Sequence, residues 1–350
     1  MKTAWTRRSF LQSAALATAT VITIAACGGN NQSSSGGSGQ PVEVTLVSYA
    51  VTQAAYEQII PKFAAQWKEK TGQEVRFNQS YGGSGSQTRA VIDGLEADVV
   101  ALALESDINQ IEKAGLIQPG WQQRVPNNGI ITNSVVALVT QEGNPKGIKD
   151  WIDLTKPGVR IVTANPKTSG GARWNFLGAW GSVTQTGGTE EQALQFTTDI
   201  YKNVPILAKD ARESTDVFTK GQADVLLNYE NELILAQQKG EKVDYAIPPV
   251  NINIQGPVAV VDTYTDKHGT RKVSEAFVQF LFTPEAQAEF AKVGFRPALP
   301  EGVDPQLLAP FPKIQTWFTV ADLGGWAKVQ PEFFGDGGWF DKVQQAVAGR

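Results

Sequence analysis

From Val42 onward, apolar runs of strand length alternate with segments of helical period, and that alternation decides the fold class. "VEVTLVSYA" (Val42 to Ala50) alternates apolar and polar side chains and predicts a strand. Tyr56, Ile59, Ile60, Phe63 and Trp67 then fall on one helical face. Pro61 should kink that helix or mark its true start, and Gly72 should end it. "EVRFNQS" predicts a second strand, "GGSG" a turn and "SQTRAVIDGLEA" a helix. "DVVALAL" is a continuous apolar run suited to a buried parallel strand. "SDINQIEKAG" predicts a helix with Ser106 as N-cap and Gly115 past its end.

The rhythm then repeats. "SVVALVT", "VRIVTAN", "ADVLLNY" and "GPVAVVD" read as strands, and "IKDWIDL", "EQALQFTTDIYK" and "NELILAQQKG" as helices. "SEAFVQFLFTPEAQAEFAKVG" gives two helices, the second capped by Thr283 with Pro284 at its first position. "GGWAKV" and "GGWFDKVQQAVAG" add a C-terminal helix or two. Strand, helix, strand, helix predicts an α/β fold whose sheets are mostly parallel and flanked by helices. A body of about 310 residues exceeds one comfortable core, so two lobes are expected. The chain should cross near residues 126–134 and 248–257, where Pro, Gly and Asn gather. Residues 42–130 with 256–320 form lobe one in this scheme, 131–255 lobe two, and 321–350 a C-terminal helical segment.

Two turns share a chemistry. "QSYGGSGSQTRAV" (Gln79 to Val91) and "NPKTSGGARWNF" (Asn165 to Phe176) each place Ser and Gly between a strand and a helix. The first amides of a helix lack an internal partner, and with the helix dipole they make a positive end suited to an anion. Ser84 and Ser169 add hydroxyls, and Gly170 and Gly171 leave their amides open to close approach. Neither turn has the Lys of a P-loop or a dinucleotide Gly-x-Gly-x-x-Gly. Gly82-Gly83-Ser84-Gly85-Ser86 misses the nucleophile elbow by one residue. A Ser hydrolase would also need a base, and His268, the sole histidine, sits in "TDKHGT", which reads as an exposed, solvated turn. No enzyme activity, metal or cofactor is expected. Both turns lack Asp and Glu. A donor-only site leaves the proton of hydrogen phosphate unpaired, at a cost of ~1–3 kcal/mol, and so favours an unprotonated dianion such as sulfate.

The N-terminus lies apart from the fold. Arg7 and Arg8 precede the apolar run "LQSAALATATVITIAA", the form of an export signal over residues 1–27. The Arg pair resembles a twin-arginine signal, with Gln12 where Lys is common; the export route stays open. Ile24-Ala25-Ala26-Cys27 resembles a lipobox, making Cys27 the expected lipid attachment site. Residues 28–41 form a Gly/Ser-rich tether. Cys27 is the only cysteine, so the body has no thiol for a disulfide, metal or nucleophile. The net charge of −4 and the lack of a basic run argue against nucleic acid.

"KEKTGQEVRFNQS" and "NPKTSGGAR" are similar to the two characteristic motifs of bacterial sulfate-binding proteins, which feed ABC-type importers. "EADVVALAL", "KPGVRIVTANPK", "EGNPK" and "GGWAKVQ" extend the resemblance over about Val42 to Lys342. Thiosulfate-preferring relatives share both motifs. The resemblance implies a two-lobe periplasmic-binding-protein fold of type II, closing on one dehydrated anion without salt bridges. It carries anion contacts onto the hydroxyls of Ser84 and Ser169 and the amides of Gly170, Gly171 and, in "DAREST", Ala211. An amide following the first strand falls on Ala50, where the family has Asp. The family's Trp indole is replaced by Tyr229 in "DVLLNYENE", which either donates to the anion or packs as a partly buried residue. Arg173 and Arg212 are expected to brace loops. The implied setting is the periplasm, as a lipid-anchored monomer partnered by permease subunits. Carrier and sensor are not separable at this level.

Overall fold

The computed structural model describes residues 41–349. The expected export signal, Cys27 and all of the tether except residue 41 lie outside them. Strands β1 (Val42–Tyr49), β2 (Val75–Gly82) and β3 (Val99–Ala101) alternate with helices α1 (Gln53–Thr71), α2 (Ser84–Ile92) and α3 (Glu105–Lys113). Next come β4 (Ile130–Ser134), β5 (Val136–Gln141), β6 (Ile161–Ala164), α4 (Gly170–Thr184), α5 (Glu190–Tyr201), β7 (Ile206–Ala208) and α6 (Ala211–Thr219). They are followed by β8 (Val225–Tyr229), α7 (Glu230–Gln238), β9 (Val243–Ala246), β10 (Val250–Ile252) and β11 (Ile254–Val260). The chain then forms α8 (Asp262–His268), α9 (Arg271–Phe280), α10 (Pro284–Lys292), β12 (Arg296–Pro297), α11 (Pro305–Leu308), β13 (Thr316–Phe318), α12 (Trp326–Phe334) and α13 (Trp339–Ala348).

The architecture is mixed α/β with two main sheets, ordered β12-β4-β11-β3-β1-β2 and β7-β6-β8-β5-β9, and a small β10-β13 pair. In the first sheet β1 is parallel to β2 and β3, while β11 opposes β3 and β4, and β12 opposes β4. In the second, β6 is parallel to β7 and β8, and β5 opposes β8 and β9. Most strands of each sheet therefore share one direction. The chain passes from the first sheet to the second at Val135, and returns from β9 through β10 to enter β11 at Ile254. Each passage delivers a reversed strand, β5 or β11.

The apolar patterns behave as side-chain periodicity requires. Tyr56, Ile59, Ile60, Phe63 and Trp67 are all buried along α1. Phe63 meets Phe77 of β2 and Phe277 of α9, at 6.0 and 5.1 Å between ring centres. A second aromatic knot joins Phe176 and Trp180 of α4 to Phe333, Phe334, Trp339 and Phe340, fixing α12 and α13 onto that helix. On the same helix Gly181 makes room for β13, since a Cβ there would lie 2.2 Å from the Phe318 ring.

Several local expectations fail for identifiable reasons. Helix α1 begins at Gln53 and runs through Pro61, so tertiary burial of its apolar face overrides the proline signal. Gly72 does end it, at φ 72° with its N–H bonded to Lys68 O. Ser106 lies inside α3, whose N-cap is Leu104; its hydroxyl turns to Gln330 instead. "GGSG" is not a free turn, because Ser84 and Gly85 already belong to α2. The "TDKHGT" stretch is the end of α8, closed by Gly269 at φ 69°. His268 is bracketed rather than solvated: Nδ1 faces Asp98 at 2.9 Å and Nε2 faces Glu96 at 2.8 Å.

Hydrogen bonding to Glu96 and then to Asp98 raises the His268 pKa above its usual value. A raised pKa stabilises the fold fully below the unfolded value of ~6.5, and that contribution is lost as pH rises through the folded value. Between about pH 6 and about pH 9, the melting temperature of the native chain should fall more than that of His268→Gln. Parallel curves would remove His268 from the balance.

Candidate functional site

Six strand ends, three from each main sheet, line one small cavity. Tyr49, Ala50 and Val51 follow β1, Gly82 to Ser84 follow β2, and Ala103 follows β3. Ser169 to Gly171 follow β6, Asp210 and Ala211 follow β7, and Tyr229 ends β8. The carboxyl ends of parallel strands hand the chain to helix starts, which is why open α/β sheets place ligands there. All seven residues singled out from the sequence lie on this cavity: Ala50, Ser84, Ser169, Gly170, Gly171, Ala211 and Tyr229. Its volume is about 10 Å³, near the least that holds a water-sized guest.

Main-chain amides dominate the lining. Ser84 and Gly85 open α2, Gly170 and Gly171 open α4, and Ala211 and Arg212 open α6. First-turn amides have no partner inside their own helix. The side-chain caps do not consume them. Ser169 accepts from Ala172 N–H and Asp210 Oδ1 from Glu213 N–H, the third amide in each helix. Ala50 and Val51 contribute from the 3₁₀ turn Ala50–Thr52 that leads into α1. The α6 start escaped the strand-and-helix reading, although Asp210 followed three residues later by Glu213 has the form of a helix-start signature.

The hydroxyls differ from one another. Ser169 is 2% exposed, and its oxygen takes only Ala172 N–H, so its hydrogen is free for a guest. Ser84 is already engaged: its hydroxyl donates to Asp107 Oδ2 at 2.6 Å and accepts from Ala103 N–H at 3.0 Å. Tyr229 is 2% exposed and its hydroxyl has no partner. Burial, the largest cause, pushes the phenol pKa well up, so it stays a neutral donor. The Tyr229 ring lies 6.0 Å from that of Tyr49 across the cavity. Gly82 and Gly83 belong to the first Gly-rich turn singled out from the sequence; Tyr49, Val51, Ala103 and Asp210 were not foreseen as lining, and of these four Asp210 left a mark as a helix-start signature.

Cations stand back from the cavity. No Lys or Arg lines it among the described residues. Arg173, buried, binds Pro166 O and pairs with the buried Asp107 at 2.8 Å. Arg212 pairs with Glu232 at 2.9 Å. Arg173 braces the loop before α4 as expected, whereas Arg212 joins α6 to α7 instead of holding a loop. Asp210 is the one carboxylate of the lining, so the full cavity is less strictly acid-free than its two Gly-rich turns. The hydrolase alternative finds no Ser–His pair: the ring nitrogens of His268 face Glu96 and Asp98, and Ser84 faces Asp107.

Several contacts tie the two sheets together at the cavity. Trp174 Nε1 donates to Ala103 O at 2.8 Å, the Arg173–Asp107 pair lies beside it, and Glu230 binds Arg296 in two-pronged fashion at 2.7 and 2.9 Å. The backbones approach closely. A Cβ on Gly83 would lie 2.6 Å from Thr168 O across the two halves, and within the second half one on Gly171 would lie 2.7 Å from the Tyr229 ring.

Residues 44–296 match the family described as bacterial extracellular solute-binding protein. A sulfate-binding protein of Synechocystis is 63% identical over 305 residues, covering 87% of this chain and 86% of the relative. A sulfate-binding protein of Escherichia coli K12 is 41% identical, covering 87% of this chain and 93% of the relative. A thiosulfate-binding protein of Pseudomonas aeruginosa is 38% identical, covering 85% and 90%. Among solved structures, the sulfate-binding protein SubI of Mycobacterium tuberculosis superposes with a TM-score of 0.78 at 37% identity, covering 84% of this chain and 99% of that one. The two-sheet fold extends to a periplasmic thiamin binding protein, TM-score 0.66 at 18% identity. With most of its body inside the family match and close relatives along nearly its whole length, the chain belongs to the bacterial extracellular solute-binding proteins.

Proposed function

We propose that this protein binds sulfate outside the cytoplasm and delivers it to an ABC-type permease. One observation carries the reading: the helix-start residues Ser84 of α2, Gly170 and Gly171 of α4 and Ala211 of α6, with Ala50 and Val51 of the turn before α1, converge on one small cavity. A helix start carries about half a positive charge. Three such starts, with the turn before α1, offset much of the charge of a sulfate without any cation. Ser169 and Tyr229 add the hydroxyl donors, and the similar proteins named for sulfate add support.

Capture follows from the division of donors between the sheets. Residues 42–134 with 254–320 act as one lobe, 135–253 as the other, and 321–350 as a C-terminal helical segment; the expected bounds of 131 and 255 shift because β4 runs to Ser134, and β11 begins at Ile254, within the first sheet. In an open form each lobe offers part of the amide set. The anion has its highest affinity for the closed form, and that difference drives closure. A lipid on Cys27, after export through the N-terminal signal, would hold the monomer near its permease.

Calorimetry should show tight sulfate binding and very weak phosphate binding near neutral pH. Comparable phosphate binding would mean that an acceptor, Asp210 being the lining carboxylate, faces the guest. Thiosulfate binding stronger than that of sulfate would move the chain to the thiosulfate side of its relatives. Ser169→Ala should weaken sulfate binding by ~1–3 kcal/mol; an unchanged affinity would take this hydroxyl out of the site.

A further inference from the structure

We infer that Ala103 determines the size of anion this cavity accepts; the inference rests on the oxyanion-binding reading above. Ala103 lies between β3 and α3, is 1% exposed, and lines the cavity. Its methyl abuts the opposite wall, because a Cβ placed on Gly170 would fall 2.5 Å from the Ala103 Cβ. The methyl of the first-sheet wall and the bare amide of Gly170 on the second-sheet wall therefore define one dimension of the space.

The backbone behind this methyl cannot retreat. Its N–H is held by Ser84 Oγ at 3.0 Å, and its carbonyl is held by Trp174 Nε1 at 2.8 Å. Ser84 is held in turn by Asp107, which pairs with Arg173. Trp174 is fully buried and packs edge-on against Trp326. A wall fixed on both sides makes the side chain the only adjustable element. Nor can the two halves close further to refill a lost methyl. Gly83 already rests against Thr168 O, and the Trp174 bond spans the same gap. Glycine at 103 thus leaves room inside the closed cavity, whereas a larger side chain collides with Gly170. Because the tied Ala103 atoms are main-chain atoms, the substitution leaves both hydrogen bonds in place.

The test compares the native chain, Ala103→Gly and Ala103→Val by calorimetry with sulfate, selenate and molybdate, tetrahedral dianions of increasing size. For Ala103→Gly, the molybdate-to-sulfate affinity ratio should rise by about tenfold or more, as one missing carbon in a tight site commonly does, with selenate between. Ala103→Val should lose all three anions while circular dichroism and the ligand-free melting curve stay native-like. An Ala103→Gly ratio equal to that of the native chain, with or without a uniform loss of affinity, overturns the inference and leaves sulfate binding standing. Native-like anion affinities in Ala103→Val overturn it as well. A native chain that binds none of the three anions takes down the functional reading, and this inference with it.

Discussion

The arrangement depends on main-chain amides that their own helices cannot satisfy. Every α-helix begins with such groups, and elsewhere water or a cap usually meets them. Here the starts of α2, α4 and α6 and the turn before α1 meet in one buried space. Buried donors without acceptors cost ~1–3 kcal/mol each, so donors gathered this way favour a guest that can accept from several of them at once. The same donors are fixed by the fold before any guest arrives, so little reorganisation is needed when it does.

Sheet topology brings the donors together. Each main sheet contributes three parallel strands ending at the cavity, β1, β2 and β3 from one and β6, β7 and β8 from the other. Of the reversed strands, β5 and β11 are the ones entered directly after a passage between sheets, and β12 is a short edge strand. That reversal lets the chain pass between the sheets twice without lengthy connections, leaving both sets of carboxyl ends facing one another.

Charged residues near the cavity serve the frame. Asp107 is wholly buried, yet its carboxylate receives Arg173 and the Ser84 hydroxyl. Such a pair adds little net stability over an apolar contact, but breaking one side costs about 3–5 kcal/mol. Its location between the two walls gives it a geometric role: it holds α4 of the second sheet against α3 of the first. Trp174, one residue later on α4, does the same with a neutral hydrogen bond to Ala103 O. Two consecutive side chains at the start of one helix thus set the distance across the cavity, while the preceding glycines keep the helix end bare.

Local pattern was enough to place most strands and helices, because side-chain periodicity and turn residues act over a few neighbours. It was enough, too, to place Ser84, Ser169, Gly170 and Gly171 at helix starts, since Ser and Gly before an apolar helical run have a direct physical meaning; that the Ser84 hydroxyl turns to Asp107 instead of the cavity was decided by α3. Ala50, Ala211 and Tyr229 were reachable only through resemblance: an amide belongs to every residue, and nothing in a local window marks which amide faces a cavity. Tertiary structure decided the rest. The burial of the α1 face carried that helix through Pro61, and the fold around Glu96 and Asp98 turned His268 from a presumed solvent-exposed group into a bracketed one. Ala103 was silent in the sequence for the same reason that it matters: a single methyl acquires a role only when another chain segment, Gly170, is brought within contact distance of it.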